Sequence, residues 1–202
     1  MAMASTEVPA SNGAVPVKRM RRVERREHIL QAATRAFARN GFIATSLDDV
    51  AAEAGITRVL LYRHFDSKAD MYRAVLDRVC TRLAKTIDTD RLDEGSLPAL
   101  IRAASADPDG FRLLFRHAAR EPEFRTFTDA LTSASTEIAH RDLAQHIPAG
   151  PWLDWSAKVI PAFAIEAVIS WLDAGQPDPD LAATRIDQAI GGIIQAAHPA
   201  SS

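Results

Sequence analysis

Residues 45–68 read TSLDDVAAEAGITRVLLYRHFDSK, and this stretch decides the fold of the 202-residue chain. Ser46 opens a capping box: its hydroxyl is an N-cap acceptor, and Asp49, three residues on, can reach back to it. Leu47, Val50, Ala51 and Ala54 follow as an apolar stripe at helical spacing. Gly55 supplies the left-handed residue that ends a helix, and only Ile56 separates it from Thr57, the next N-cap candidate. The spacing therefore predicts two short helices joined by a tight turn.

In the second helix Leu61 and Phe65, four residues apart, can face a core, which leaves Arg58, Val59, Tyr62 and Arg63 outside. A displayed surface of two arginines, a valine and a tyrosine has something to touch. The same grammar then repeats: Ser67 and Asp70 form another box, and Lys68 falls in the first turn, where a cation opposes the helix dipole. A lysine there fits one that answers to an external anion. Caps, turn and the Tyr62-Arg63-His64-Phe65 run together point to a helix-turn-helix docking on DNA.

Around this stretch stand Ile29, Leu30, Ala33, Phe37, Asn40-Gly41-Phe42, Thr45-Ser46, Val50-Ala51, Ala54-Gly55-Ile56, Leu61-Tyr62, His64-Phe65 and Lys68. On these residues the segment 25–72 resembles the DNA-binding domain of the TetR family of bacterial transcriptional regulators. The resemblance implies that Tyr62, His64 and Lys68 contact phosphates and that Thr45 helps fix the first helix on the backbone. It also implies that Arg58, Val59, Leu60 and Tyr62 meet base edges. Thr57 and Arg63 complete the expected DNA-contact set. Many family members carry Gly-Thr where this chain has Val59-Leu60, so apolar contact with a thymine methyl replaces a hydroxyl contact here.

A formal charge of −2 argues by itself against a nucleic-acid protein, but the distribution reverses that reading. Residues 18–73 hold 12 Lys and Arg against 7 Asp and Glu, whereas 74–202 hold 12 against 18. The basic residues gather at the leading edge, in Lys18, Arg19, Arg21, Arg22, Arg25 and Arg26. Such an edge adds a salt-dependent, sequence-independent term to DNA affinity. Residues 1–20, rich in Ala, Ser, Pro and Gly up to Val17, are expected to be a disordered tail and lack the pattern of a signal peptide. Cys80, the single cysteine, suits a reducing cytoplasm and reads as a small packed hydrophobe. No apolar run approaches the roughly 20 residues of a membrane span.

The expected architecture is all-α: a three-helix helix-turn-helix DNA-binding domain (21–68), then a six-helix ligand-binding and dimerisation domain (69–202). A first helix over 22–40 stops at Asn40-Gly41, with Phe42 packing back on its end. The helix from Ser67 to about Asp88 links the two parts. Further helices are expected over 96–106, 110–120, 122–146, 151–174 and 180–197, with a kink or break at Pro161. The last two carry apolar sides: Ala164, Ala167, Val168, Trp171 and Leu172, then Leu181, Ile186, Ile190, Ile193 and Ile194 with Gly191-Gly192. Two such helices per subunit can pair as a four-helix bundle, giving a homodimer that reads a near-palindromic double-stranded operator.

Phe111, Leu114, Phe115, Phe124, Phe127, Trp152, Trp155 and Phe163 gather most of the aromatic residues of this half in the middle helices, so a pocket for a small apolar inducer is expected among them, with Phe111, Phe115, Trp152, Trp155 and Phe163 as candidate ligand residues. His117, Arg116, His140 or Glu166 can supply polar anchors. Aromatic residues at helical spacing also build ordinary cores. Phosphate loops, Cys-x-x-Cys pairs and Gly-x-Ser-x-Gly elbows are absent from the sequence, so neither catalytic residue, metal nor cofactor is expected. The sequence thus predicts a cytoplasmic, ligand-responsive repressor, with a ligand-binding or adaptor dimer lacking operator specificity as the alternative.

Overall fold

Residues 22–87, 93 and 95–198 are described by a computed structural model; among them are nine α-helices and no strand, the architecture expected. The N-terminal tail, Lys18, Arg19 and Arg21 lie outside the described residues. Helix α1 (Arg22–Ala44) is regular up to Gly41, which adopts φ 74° and ψ 178° and kinks the chain into one further turn. That conformation favours a residue without a β-carbon. The expected stop is thus a sharp corner, after which Phe42 folds back towards Phe37, ring centroids 6.4 Å apart.

Local signals set the next three helices. Helix α2 (Leu47–Ala54) begins with the expected box: Ser46 Oγ accepts from the Asp49 N–H at 3.1 Å, and the Asp49 carboxylate accepts from the Ser46 N–H at 2.8 Å. Gly55 ends it in the left-handed conformation (φ 62°). Helix α3 (Arg58–Tyr62) follows from Thr57, which is extended as an N-cap should be but makes no side-chain cap bond. At the start of α4 (Lys68–Thr86), Ser67 Oγ accepts from the Asp70 N–H at 3.0 Å, while the Asp70 carboxylate reaches one residue further back, to the Asp66 N–H at 3.1 Å.

Ile29, Ala33 and Phe37 of α1, Val50 of α2, Leu61 and Phe65 pack on Met71, Tyr72, Val75 and Leu76 of α4 in one core. The same core takes in Leu113, Leu114 and Phe124 from the second half of the chain. Helix α4 is therefore buried against both halves, and the hydrophobic core has no seam at residue 68.

The second half consists of α5 (Ser96–Ala106), α6 (Pro108–Arg112), α7 (Arg125–Leu143), α8 (Pro151–Asp173) and α9 (Pro179–Ala196). Helix α6 starts two residues before its expected position because Asp107 caps it, accepting from the Gly110 N–H at 3.0 Å. It runs on as a π-helical turn (Leu113–His117) and a 3-10 turn (Ala118–Arg120), an irregularity no periodicity announced. Pro122 lies in the turn before α7 rather than in its first turn. Helix α8 runs on without a break through Pro161, where a kink or break is expected; it is held between α5, α7 and α9, whose packing outweighs one missing backbone donor.

Part of the dimer face expected from the sequence is covered by the chain itself, although Leu181 of that face is 43% exposed. Val168, Trp171, Leu172 and Ile186 are buried in the chain's own core, against Ile101 and Phe111. Ile193 and Ile194 pack on a second cluster that includes Leu153 and Ala157. An apolar stripe specifies a neighbour without saying whether that neighbour is in the same chain. By length and composition α8 is apolar enough to cross a membrane, yet only 39% of its most apolar window is buried here. Its outer side displays Trp152, Trp155 and Ala162.

Candidate nucleic-acid interface

Helix α3 fully buries only Leu61, and Arg58, Val59 and Tyr62 face outward. Val59 is 67% exposed and Tyr62 48%, while Leu60 is half-buried beside them. Arg58 lies along this surface: Nη1 donates to Asp48 at 3.1 Å and Nη2 to the Tyr62 hydroxyl at 3.2 Å, with the guanidinium 5.7 Å from the tyrosine ring centre. These contacts hold the guanidinium above the usual arginine range, the Tyr62 hydrogen bond first and the Asp48 charge second. Thr57 and Arg63 are exposed at either end of the helix.

At the far end of α3, His64 is half-buried near the arginines that open α1. Burial first, then the charges of Arg22, Arg26 and Arg25, push its imidazole below the usual histidine range. The Arg26 guanidinium lies 4.9 Å from the centre of the Phe65 ring. Thus the basic end of α1 lies beside His64 and Phe65, at the C-terminal end of the helix-turn-helix.

Helices α1 and α2 are tied together behind it. Arg35 Nε donates to Glu53 at 2.7 Å and Arg39 pairs with the same carboxylate. Those two guanidinium groups, Arg35 first, hold Glu53 below the usual carboxylate range. The His28 imidazole sits 2.9 Å from the Ala54 carbonyl.

Two expected phosphate-side residues are placed differently. Thr45 is buried, and its hydroxyl donates to the Gly41 carbonyl at 2.7 Å, so the side chain faces the corner of α1. The Lys68 ammonium lies over the Phe42 ring, 4.4 Å from its centre, and donates to the carbonyls of Phe42 (2.8 Å), Ile43 (3.3 Å) and Thr45 (3.0 Å).

The expected ligand residues do not surround one cavity. Phe111 is buried and Phe115 packs on it at 4.8 Å, with half-buried Phe163 in the same cluster. Trp152 and Trp155 are 60% and 41% exposed on the outside of α8, edge to face at 5.9 Å. Glu166 is exposed and pairs with Arg116 at 3.6 Å, and Arg116 with Asp173 at 2.7 Å. His140 pairs with Asp154 at 3.1 Å. His117 packs against the α1 corner, where a β-carbon on Gly41 would come 3.1 Å from its Nδ1.

A different recess is present between α4 and α7. About 320 Å³ in volume and open to solvent, it is lined by Cys80, Thr126, Phe127, Ala130 and Leu131. Burial and the nearby Asp77 charge push the Cys80 thiol up to about 11, so it stays protonated at neutral pH. Phe127 is among the expected pocket aromatics, but the rest of the signal is slight: residues 126, 127, 130 and 131 share one face of α7, and their partner on α4 is 46 or more residues away.

An all-helical chain displaying a helix-turn-helix with a basic flank belongs to the class of DNA-binding regulators. Residues 29–75 match the family of bacterial regulatory proteins described as tetR, which puts the helix-turn-helix of this chain in that family. It is 28% identical over 190 residues to the HTH-type transcriptional activator FasR of Mycolicibacterium smegmatis, covering 88% of this chain and 83% of that one. The HTH-type transcriptional repressor SCO4008 of Streptomyces coelicolor is 34% identical over 88 residues, 43% of this chain and 46% of its own. Among solved structures, a TetR-like transcriptional regulator from Rhodococcus superposes with a TM-score of 0.66 at 20% identity, covering 88% of this chain and 97% of that one. The family match thus accounts for the helix-turn-helix, and the solved structure shares the all-helical fold of the body.

Proposed function

We propose that the protein is a ligand-responsive, operator-binding transcriptional regulator that acts as a two-fold homodimer on near-palindromic double-stranded DNA. The observation that carries this reading is the outward surface of α3. Exposed Val59 and Tyr62, flanked by Arg58 and Arg63, have no role in the chain's own core. Arg58 is long and charged enough to reach a guanine edge, and Val59 with half-buried Leu60 suits a thymine methyl. His64, with Arg22, Arg25 and Arg26 around it, suits phosphate, and Tyr62 borders both groups.

The partner surface is the outer side of α8, continued by α9. Trp152, Trp155 and Ala162 are exposed apolar residues on that outer side, beside the exposed Lys158 and Glu166. A β-carbon on Gly191 or Gly192 would meet nothing within 4 Å, which leaves space for a second backbone. Pairing two subunits there sets their α3 helices to read half-sites about one DNA turn, roughly 34–36 Å, or a multiple apart.

The ligand is a small apolar molecule taken up in the α4–α7 recess, whose volume is near the lower bound for such sites. Cys80 on its wall belongs to the same helix that opens with Lys68, so a ligand favouring one position of α4 changes the separation of the DNA-binding ends. Ligand binding releases DNA in this reading, and the protein acts as a repressor.

The test exchanges the outward residues. Val59→Ser removes the apolar contact and is expected to change the preferred base at one position of each half-site, with the salt dependence of binding unchanged. An unchanged preference would take α3 out of base reading.

A further inference from the structure

We infer that Lys68 is a positioning residue: its ammonium staples the corner of α1 to the start of α4 and so fixes the angle at which the helix-turn-helix is presented. This inference rests on the DNA-binding reading but assigns Lys68 to the protein's interior geometry rather than to phosphate. A lysine has three N–H donors. All three are matched here, by the carbonyls of Phe42 at 2.8 Å, Thr45 at 3.0 Å and Ile43 at 3.3 Å. No donor remains for a phosphate oxygen unless one of these bonds breaks.

The location explains why a cation stands at a helix N-terminus. In the first turn of α4 Lys68 opposes that helix's dipole, but its head lies at the carbonyl end of α1, where a cation is favourable and backbone acceptors have no helical partners. The other side of the corner is closed by Thr45, whose hydroxyl donates to the Gly41 carbonyl at 2.7 Å and lies 3.3 Å from that of Ala36. Ser46, the next residue, is the N-cap of α2. Whatever fixes residues 42–45 therefore fixes where α2 begins, and α3 follows it through a turn of only two residues, Gly55 and Ile56, before its cap.

The staple also touches the body of the protein. The Lys68 ammonium covers the Phe42 ring, and that ring packs on Phe124 at 4.8 Å and on Tyr72 at 5.0 Å. Movement of α4 or of the segment around Phe124 thus reaches the corner directly, through the same few side chains.

The experiment compares Lys68→Met and Lys68→Arg with the wild type. It measures thermal unfolding of the free protein and binding to two duplexes, one enriched from a random pool and one of random sequence, over a range of salt. A staple predicts that both variants lose about 4–8 °C in Tm, because charge-assisted bonds to backbone disappear and a planar guanidinium cannot replace a three-pronged donor. It further predicts about tenfold greater loss on the enriched duplex than on the random one, with the salt slope unchanged. A phosphate contact predicts the reverse: a Tm unchanged or raised by removing a charge from the α4 N-terminus, a slope reduced by about one for Lys68→Met, and binding retained in Lys68→Arg. A reduced slope or an unchanged Tm overturns the inference. If the wild type binds neither duplex, the DNA-binding reading fails, and the Tm comparison still decides whether the staple exists.

Discussion

Trp155→Glu is expected to convert the dimer into a folded monomer. A tryptophan buries up to about 250 Å² when fully covered. Trp155 keeps 41% of its surface exposed in the single subunit, so roughly 100 Å² is left for a partner to cover. At about 25 cal/mol per Å² this is worth about 2.5 kcal/mol per subunit, and the two-fold axis doubles it to about 5 kcal/mol. Partial cover at the rim lowers the figure, and a carboxylate placed in an apolar contact raises the loss. A net loss of about 3–5 kcal/mol raises the dimer Kd roughly 10²- to 10⁴-fold. Sedimentation equilibrium reads this directly, as a wild-type mass of twice 22.0 kDa against one subunit for the variant. Val168→Asp supplies the contrast: Val168 is fully buried within the subunit, so that variant is expected to lose its fold rather than merely its partner. A Trp155→Glu protein that stays dimeric at the same concentrations as the wild type would refute the assignment of this face.

Three further outcomes are expected. Arg58→Ala should cost about 1–3 kcal/mol on the preferred duplex and relax selection at one base pair per half-site, measured by competition against single-base variants. DNA affinity should rise as pH falls from about 8 to 6: free His64 titrates below the usual histidine value, a nearby phosphate raises that value, and binding therefore takes up a proton; His64→Gln should flatten the profile. Arg78, nearly buried, joins Glu27 of α1 at 2.8 Å to Asp107 before α6 at 3.2 Å, so Arg78→Met should lower Tm by roughly 3–10 °C.

What the sequence disclosed was what short-range chemistry dictates. Ser46 with Asp49, Gly55 and Ser67 with Asp70 act within a few residues of themselves, and each sits at a helix end as read, even where Asp70 reaches Asp66 instead of Ser67. Periodicity located all the long helices but could not say what each apolar side meets. The spacing of Val168, Trp171 and Leu172 suits a second chain, yet these residues pack on Ile101 and Phe111 of their own. Trp152 and Trp155, aromatic residues that suit a pocket, lie on the outer surface. The fate of Lys68 was likewise illegible, because its partners are 23 to 26 residues away and are backbone carbonyls, which leave no mark in side-chain composition. The π-helical turn that brings His117 against Gly41 depends on the same long-range packing.

The central claim is that this surface reads sequence as a dimer. Selection of bound duplexes from a random pool, repeated at two salt concentrations, tests it most directly. The account predicts an enriched near-palindrome whose half-sites lie one or more helical turns apart and which is retained at the higher salt. Binding without enrichment that vanishes at moderate salt would contradict it, because electrostatic attraction to the basic edge alone behaves that way.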